Sequence, residues 1–368
     1  MNTPSPAAVR LLTEAAVRLP SEAAARFRAE AAKRILITDG AWGTMIQTFG
    51  LQEADYAGSL GLAHEQKGNN DMLCLTRPDI IEAITQGYLD AGSDVVSTNT
   101  FSSTTISQGD YGAEHLVREL NLAAAGIARR LADKAEAKDG RPRFVAGALG
   151  PTNKTLSLSP KVNDPGFREV DYDQVKTVYA QQIEALIDGG CDFILIETVF
   201  DTLNAKAAIM AVLEESDRRG VEIPIMLSMT ITDMSGRNLS GHAIDSFWYA
   251  VRHARPLTIG LNCSFGADLL RPHVQVLAGI ANTLVMAYPN AGLPNDLGQY
   301  DEAAATTGSL VELWAKDGLI NVVGGCCGTT PAHIKAMADA VRPYPPRAIP
   351  VLLPITRLTG LDPMILAA

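Results

Sequence analysis

The sequence predicts an α/β fold of the (β/α)8 class, the TIM barrel. From residue 34 onward, eight short runs rich in apolar and β-branched residues follow one another, separated by stretches with apolar residues at helical spacing. Alternating strands and helices form parallel sheets through right-handed crossovers. Eight such units fit a closed barrel better than a doubly wound sheet, which usually has about five or six strands. The first run also lacks the GxGxxG pattern of dinucleotide-binding folds.

The predicted strands lie in one continuous region of the chain. In order they are RILITDG (34–40), DVVSTNTF (94–101), FVAGALGP (144–151), FILIETV (193–199), IMLSMTI (225–231), TIGLNCS (258–264), TLVMAYPNAG (283–292) and LINVVGGCCG (319–328). The stretches PDIIEAITQGYLDAG and DYDQVKTVYAQQIEALIDGG between strands combine helical spacing with a C-terminal glycine. We therefore predict a barrel domain over residues 34–345.

The segments on either side predict smaller elements. Residues 1–33 are rich in Ala and Arg and predict an N-terminal helical extension. Glu14, Glu22 and Glu30 argue against a transit peptide in this segment. Residues 346–368 are interrupted by prolines and predict a C-terminal tail or a truncated linker.

Composition narrows the class of protein. The net charge of −10 argues against nucleic-acid binding, which depends on neutralising phosphates with Lys and Arg. No apolar stretch reaches the roughly 18 residues of a membrane helix, so we expect no membrane association. The five cysteines are an odd number in a long chain, which does not resemble a disulfide framework and predicts a reducing, cytoplasmic location.

Three cysteines fall where barrel chemistry is expected. Cys263 ends the sixth run, and Cys326 and Cys327 end the eighth. Because the carboxyl ends of barrel strands meet at one mouth, the three thiols can face one point. Three soft ligands without a fourth nearby cysteine suit Zn²⁺ with an open position. Such a thiolate-rich site is suited to binding and deprotonating a further thiol, so the pattern predicts thiol alkylation.

Two other interpretations of the cysteine pair remain open. Cys326 and Cys327 could pack within a tight turn, or they could form a redox pair, although adjacent cysteines fit disulfide geometry badly. Cys74 and Cys191 are expected to be small buried hydrophobic residues. The loops over residues 50–77 and 152–170 are longer than usual, and we expect both to cover the mouth.

Several longer motifs resemble one known family. GLNCSFG and GGCCGTTPAHI, together with DGAWGTMIQ, TNTF, LGPTNKT, ETVFDTLNAKAA and YPNAGLPN, resemble the homocysteine S-methyltransferase family over about residues 34–345. KGNNDMLCLTRPDII, SLSPKVNDPGFR and ITDMSGRNLSGH resemble its cobalamin branch, the homocysteine-binding module at the N-terminus of cobalamin-dependent methionine synthase.

The resemblance implies roles for particular residues. Cys263, Cys326 and Cys327 match the three zinc ligands of the family, and Asn290 matches a position that can approach the metal when substrate is absent. Asp39 and Glu197 match acids near the amino-acid end of homocysteine. The backbone N–H groups of Gly40, Ala41 and Trp42 could receive its carboxylate, and Asn99 could contact the substrate. Helix capping by Asp39, a structural ion pair of Glu197 and a turn organised by Asn99 are the alternatives.

The resemblance also implies a partner. The chain carries no D-x-H-x-x-G cobalamin motif and no second barrel, so we expect methylcobalamin to come from a separate cobalamin- and folate-binding methionine synthase polypeptide. The products would then be methionine and cob(I)alamin. A stand-alone homocysteine methyltransferase using betaine or S-methylmethionine is one alternative. A non-catalytic partner protein that binds zinc or homocysteine is another.

Overall fold

A computed structural model describes residues 18–366 of the chain. Its barrel strands are β1 (Leu36–Ile37), β2 (Val95–Ser97), β3 (Phe144–Leu149), β4 (Phe193–Val199), β5 (Ile225–Met229), β6 (Thr258–Gly266), β7 (Leu284–Asn290) and β8 (Val322–Val323). The α-helices are α1 (Glu22–Ala31), α2 (Gly43–Gln47), α3 (Glu53–Ala57), α4 (Leu73–Thr76), α5 (Pro78–Ala91), α6 (Thr105–Gln108), α7 (Val117–Asp139), α8 (Tyr172–Asp188), α9 (Thr202–Arg219), α10 (Ile244–Val251), α11 (Ala267–Ile280), α12 (Ala304–Lys316) and α13 (Pro331–Val341).

Strand pairing confirms the predicted (β/α)8 barrel. The strands pair in the order β1-β8-β7-β6-β5-β4-β3-β2, and every one of these pairs is parallel. A parallel bridge between Thr38 and Val95 joins β1 to β2. The N–H of Asp94 also donates to the carbonyl of Ile37 at 2.7 Å. The ring of strands is therefore closed, and the carboxyl ends of the eight strands surround one mouth.

Alternating side chains fill the barrel and attach the helices. Phe144 and Ala146 of β3 belong to an inner cluster that includes Met226 and Met286. Val145, between them in sequence, belongs instead to the larger apolar layer between the sheet and the helices. Successive residues of a strand point to opposite faces, so nearly continuous apolar runs are what a strand buried on both sides requires.

Helix α1 closes the amino-terminal end of the barrel. Its N-cap, Ser21, accepts a hydrogen bond from the N–H of Ala24 at 3.1 Å. Phe27 is completely buried, with its ring centroid 5.4 Å from that of Phe144 and 5.3 Å from that of Phe193, in edge-on contacts. Because those two residues begin β3 and β4, α1 packs under the barrel. Residues 1–17 of the predicted extension lie outside the described residues.

The carboxyl-terminal segment follows the barrel wall. Strands β9 (Thr356–Thr359) and β10 (Pro363–Leu366) form an antiparallel hairpin. The hairpin is attached beside α10, since Thr359 Oγ1 donates to the carbonyl of Ser246 at 2.9 Å and the N–H of Ala243 donates to that of Leu361 at 3.1 Å. The last two residues of the predicted tail lie outside the described part, and the predicted boundaries at 33 and 345 stay predictions.

One of the two long loops reaches the mouth. Residues 68–71, within the loop 50–77, line the central cavity of the barrel. The loop 152–170 contributes no residue to that lining within the described chain, so this expectation was wrong. The loop is instead bonded to the start of α9, because Asp201 accepts hydrogen bonds from the N–H and hydroxyl of Ser157 at 2.8 and 2.7 Å. Among residues 18–366, no helix has the length and apolar character needed to cross a membrane.

Candidate metal centre and adjoining cavity

The three cysteines predicted as ligands lie together at the mouth. Cys327 Sγ is 3.8 Å from Cys263 Sγ and 4.0 Å from Cys326 Sγ, and all three sulfur atoms lie within 4.8 Å of one another. Four sulfur-type ligands placed tetrahedrally about 2.3 Å from Zn²⁺ are about 3.8 Å apart. The spacing of the thiols therefore suits three corners of such a tetrahedron. These three side chains form a cluster that could hold a metal ion.

A distortion of β6 directs Cys263 toward the cluster. Cys263 and Ser264 have left-handed backbones, with φ of 63° and 68°, which is uncommon for residues other than glycine. The pairing of β6 with β7 changes register between Asn262 and Gly266. Such bulges at the rim of a barrel redirect a side chain, and strained backbone of this kind concentrates at functional sites.

Asn262 supports this distortion from below. Its side chain is completely buried and accepts hydrogen bonds from Ser228 Oγ at 2.6 Å and from the N–H of Thr198 at 3.1 Å. It also donates to Thr198 Oγ1 at 2.9 Å. Thr198 has a left-handed backbone as well, with φ of 57°, beside a change of register between β4 and β5. One amide thus joins the two irregular strands that border the cluster.

The glycines around the cysteine pair serve two purposes. Gly328 has a φ of 78°, and a Cβ atom there would overlap Tyr300. Gly324 and Gly325 do not have a left-handed backbone conformation. A Cβ atom at Gly324 would overlap Thr38, and one at Gly325 would overlap Thr329. Only Gly328 therefore supplies the turn, whereas the glycine pair allows β8 to lie close to the end of β1 and to the residues before α13.

The thiols perturb one another electrostatically. Hydrogen bonds from Cys326 and Cys327 lower the pKa of Cys263, and the same bonds raise the pKa of Cys326 and of Cys327. Asn290 is buried and also donates toward Cys263, while its Oδ1 has no partner in the described chain. The three thiols cannot all lose their protons without a positive charge beside them. Together with the unsatisfied carbonyl oxygen of Asn290, they form a set of ligand atoms that suits a cation.

A cavity of about 410 Å³ adjoins the cluster inside the barrel mouth. Its lining contains eight of the ten residues that were predicted for the site, namely Asp39, Gly40, Ala41, Trp42, Asn99, Glu197, Cys326 and Cys327. Cys263 and Asn290 are not in the lining, and Cys263 approaches it through its contact with Cys327. The fold therefore brings the predicted residues together around one space.

Two acids lie in this cavity, Asp39 buried and Glu197 half-buried. Asp39 Oδ2 accepts hydrogen bonds from the N–H and hydroxyl of Ser97, at 2.6 and 2.8 Å. Burial raises the pKa of Asp39 to about 6, and burial together with the charges of Asp39 and Cys263 raises the pKa of Glu197 to about 8. Neither acid forms an ion pair with Lys or Arg within residues 18–366, so the alternative of a structural ion pair for Glu197 is not what the structure shows.

Some of the polar groups beside the acids already form hydrogen bonds within the protein. The N–H of Ala41 donates to Thr329 Oγ1 at 3.2 Å, which leaves the N–H groups of Gly40 and Trp42 as the available donors of the predicted turn. Trp42 Nε1 donates to Ser97 Oγ at 2.9 Å. The amide of Asn99 donates to the carbonyl of Asn70 at 2.8 Å, as the turn-organising alternative proposed, while Asn99 also lines the cavity.

Two lining residues lie within the motifs KGNNDMLCLTRPDII and YPNAGLPN but were not among the predicted site residues. Asp71 is buried and accepts hydrogen bonds from the N–H of Ser102 and the hydroxyl of Ser103, both at 2.7 Å. Tyr288 has a completely buried hydroxyl without a partner in the described chain. Asp71 belongs to a loop and Tyr288 to the middle of an apolar run, so neither ends a predicted strand. Cys74 and Cys191 are buried, as expected, and neither belongs to the cluster of thiols.

Known proteins resemble this chain in sequence and in fold. A family model described as homocysteine S-methyltransferase matches residues 36–341. The metallated form of the homocysteine methyltransferase MmuM from Escherichia coli superposes with a TM-score of 0.67 at 20% identity, covering 85% of this chain and 99% of that one. Its apo form superposes with a TM-score of 0.62 at 18% identity, covering 86% and 99%. At this identity the structural likeness supports the barrel fold alone.

Proposed function

This chain belongs to the homocysteine S-methyltransferase family and is a methyltransferase, and from that premise we propose that it activates homocysteine on Zn²⁺ for S-methylation to methionine. The proposed ligands are Cys263, Cys326 and Cys327, with Asn290 as a further donor when substrate is absent. The proposed methyl donor is methylcobalamin, carried by a separate cobalamin- and folate-binding methionine synthase polypeptide. We retain the cytoplasmic location as a prediction.

The arrangement of the three thiols carries the proposal. Their mutual spacing of 3.8 to 4.0 Å across Cys327 suits a tetrahedral ion, and the cluster borders the cavity rather than lying in the core. When bound, Zn²⁺ lowers the pKa of a thiol that joins it and holds that thiol as a nucleophilic thiolate. The three protein thiols leave a fourth position, and Cys326 and Cys327 line the space from which a substrate sulfur would reach it.

The two acids of the cavity support an amino acid as substrate. Asp39 and Glu197 are close enough for the charge of Asp39 to raise the pKa of Glu197, and no protein cation compensates them within the described chain. An ammonium group between the two carboxylates would supply that compensation. The backbone N–H groups of Gly40 and Trp42 lie in the same lining and are suited to the carboxylate of the substrate.

The rim of the mouth supports docking of a large donor. The loops that follow the carboxyl ends of β2, β5 and β7 carry exposed apolar side chains; these are Phe101, Met234, Leu239, Leu293 and Leu297. Exposed apolar residues on loops beside a cavity are suited to contact with another molecule. A polypeptide carrying methylcobalamin would cover these side chains when it presents the methyl group to the cavity.

Metal analysis combined with a methyl-transfer assay tests this function. The purified chain is expected to contain about one zinc per polypeptide and to form methionine from homocysteine and free methylcobalamin. Betaine and S-methylmethionine are assayed in parallel, without any partner protein. Faster turnover with either of these donors than with methylcobalamin would replace the split-enzyme proposal by the stand-alone methyltransferase. Zinc binding without turnover on any donor would support the non-catalytic alternative.

A further inference from the structure

A second cavity lies at the opposite end of the barrel from the cysteine cluster. It has a volume of about 640 Å³ and is bordered by the beginnings of β6, β7 and β8, the end of α1 and the tail. Four arginines line it, Arg28, Arg252, Arg255 and Arg347, and no Asp or Glu is among the described residues of the lining. We call this space the arginine cavity. Such a concentration of positive charge is unexpected in a chain of net charge −10.

Arg347 carries a buried charge without a carboxylate partner. Only 4% of the residue is exposed, and its guanidinium donates to the backbone carbonyls of Ala278, Ala281 and Thr283 and to Asn321 Oδ1, at 2.5 to 3.3 Å. These acceptors are all uncharged, and burial lowers the pKa of Arg347 to about 10. A buried guanidinium satisfied only by neutral oxygens leaves a net positive potential in the cavity beside it.

The other three arginines have donors to spare. Arg28, Arg252 and Arg255 form no ion pair and donate no side-chain hydrogen bond within residues 18–366. The guanidinium of Arg252 lies 5.3 Å from the ring centroid of Tyr249, a contact that leaves its N–H edge open. By contrast, most arginines elsewhere on the surface are paired, as Arg118 is with Asp188 and Arg130 with Glu82.

An unsatisfied buried donor lies in the same lining. Trp248 is 1% exposed and borders the arginine cavity, and its Nε1 has no hydrogen-bond partner in the described chain. This Nε1 atom is shielded from the cavity, so the donors that face a ligand are those of the exposed and half-buried arginines. The cavity thus offers hydrogen-bond donors and positive charge, with no acid in its described lining to oppose an anion.

We propose that the arginine cavity is a second binding site, and that it takes a small molecule carrying a diphosphate group. Guanidinium groups bind phosphate oxygens through paired N–H bonds, and Arg28, Arg252 and Arg255 have such N–H groups available. With the buried charge of Arg347 beside them, they match the several charges of a diphosphate better than a single carboxylate. The volume is in the range of ligand pockets and exceeds that of a diphosphate alone, which favours a diphosphate ester. The ligand would contact α1, the barrel wall and the tail at the same time.

Titration calorimetry on the full-length, zinc-loaded protein tests this site, with pyrophosphate and ADP as the probes. We expect one pyrophosphate or ADP per chain, and tighter binding of ADP identifies an ester as the preferred source of the diphosphate. The double substitution R252Q/R255Q should weaken both ligands at least about tenfold. The matched substitution R118Q/R130Q removes the same charge from paired surface arginines and should leave the dissociation constants unchanged.

Thermal melting provides a second measurement. Pyrophosphate should raise the Tm of the wild type and of R118Q/R130Q but not that of R252Q/R255Q. If R252Q/R255Q fails to fold, the single substitution Arg28→Gln on the exposed side of α1 takes its place. The proposal is overturned if the wild type shows no saturable binding, if R252Q/R255Q binds as tightly as the wild type, or if citrate or an acidic peptide binds as tightly as pyrophosphate.

Discussion

Cys326 differs from Cys74 and Cys191 because it has two sulfur neighbours. Cys191 is buried and has no such neighbours in the described chain, so it is the control thiol. We expect Cys326→Ala to reduce zinc from about one per chain to below about a tenth and to abolish methyl transfer, since two thiols hold zinc far more weakly than three. Cys191→Ala should keep both. Full zinc content in Cys326→Ala, measured by plasma emission spectrometry, would contradict the assignment of ligands.

Glu197 makes the stability of the metal-free protein depend on pH. Its pKa rises from 4.5 to about 8 on folding, so the folded state holds the proton more tightly than the unfolded state. The free energy of unfolding should therefore decrease as pH rises from about 4.5 to 8. Asp39 and Asp71, whose pKa values rise to about 6, act in the same direction but only over the lower part of this range.

The substitution Glu197→Gln isolates this effect. We expect it to stabilise the metal-free protein relative to the wild type by about 2–4 kcal/mol at pH 8 and to have little effect at pH 5. Urea unfolding at the two pH values measures the difference. Glu214→Gln, on an exposed carboxyl paired with Lys176, should show no such pH dependence. A stabilisation of Glu197→Gln that is the same at both values would rule out titration as its cause.

At the scale of elements, Asn262 joins β4, β5 and β6 under the metal centre. Asn262→Ala leaves Thr198 and Ser228 without their buried partner, which should lower the free energy of unfolding by about 1–3 kcal/mol. Because the same amide holds the strand that carries Cys263, we also expect zinc affinity to fall about tenfold or more.

Asn121 provides the matched control for that substitution. It is completely buried and donates to the carbonyls of Ser103 and Val117, away from the cluster. Asn121→Ala should cost similar stability but leave zinc affinity unchanged. Competition for zinc with a chromogenic chelator compares the two variants, and equal affinities would mean that Asn262 acts on stability alone.

These elements show which parts of the site the sequence could reveal. The strand runs, and the polar residues and thiols that end them, are local patterns, so the barrel and five of the lining residues were accessible from them. The other three, Gly40, Ala41 and Trp42, followed only from the family resemblance. The left-handed backbone at Cys263 and Thr198 depends on the distant amide of Asn262, which looks like an ordinary strand residue in the sequence. Asp71 reaches the cavity only because its loop folds over the mouth.

At the scale of the whole molecule, α1 contributes to stability from the end opposite the metal centre. Phe27 is completely buried against Phe144 and Phe193, so Phe27→Ala should lower the free energy of unfolding by about 3–5 kcal/mol. Phe49 is 44% exposed, and Phe49→Ala should cost much less. Guanidinium chloride unfolding measures both. A small loss for Phe27→Ala would show that α1 does not close the folded barrel in solution.

The packing of α1 was not accessible from the sequence. The segment reads as an amphipathic helix rich in Ala and Arg, and nothing local distinguishes a helix on the surface from one that covers the end of a barrel. The position where α1 packs depends on the aromatic residues that begin β3 and β4, which are more than a hundred positions away in the chain. The hairpin of the tail is likewise held by contacts with α10 rather than by its own pattern.

The position of the cysteines along the chain has a consequence for folding. Cys263 and Cys327 are 64 positions apart, and β7 with its long loop lies between them. An ion shared by these thiols is a cross-link that closes a large loop of the unfolded chain, and the loss of chain entropy for a loop of that size corresponds to about 4 kcal/mol. The same ion that presents the substrate would thus hold the last quarter of the barrel against the rest. A chain without zinc would lose this cross-link together with its reactivity.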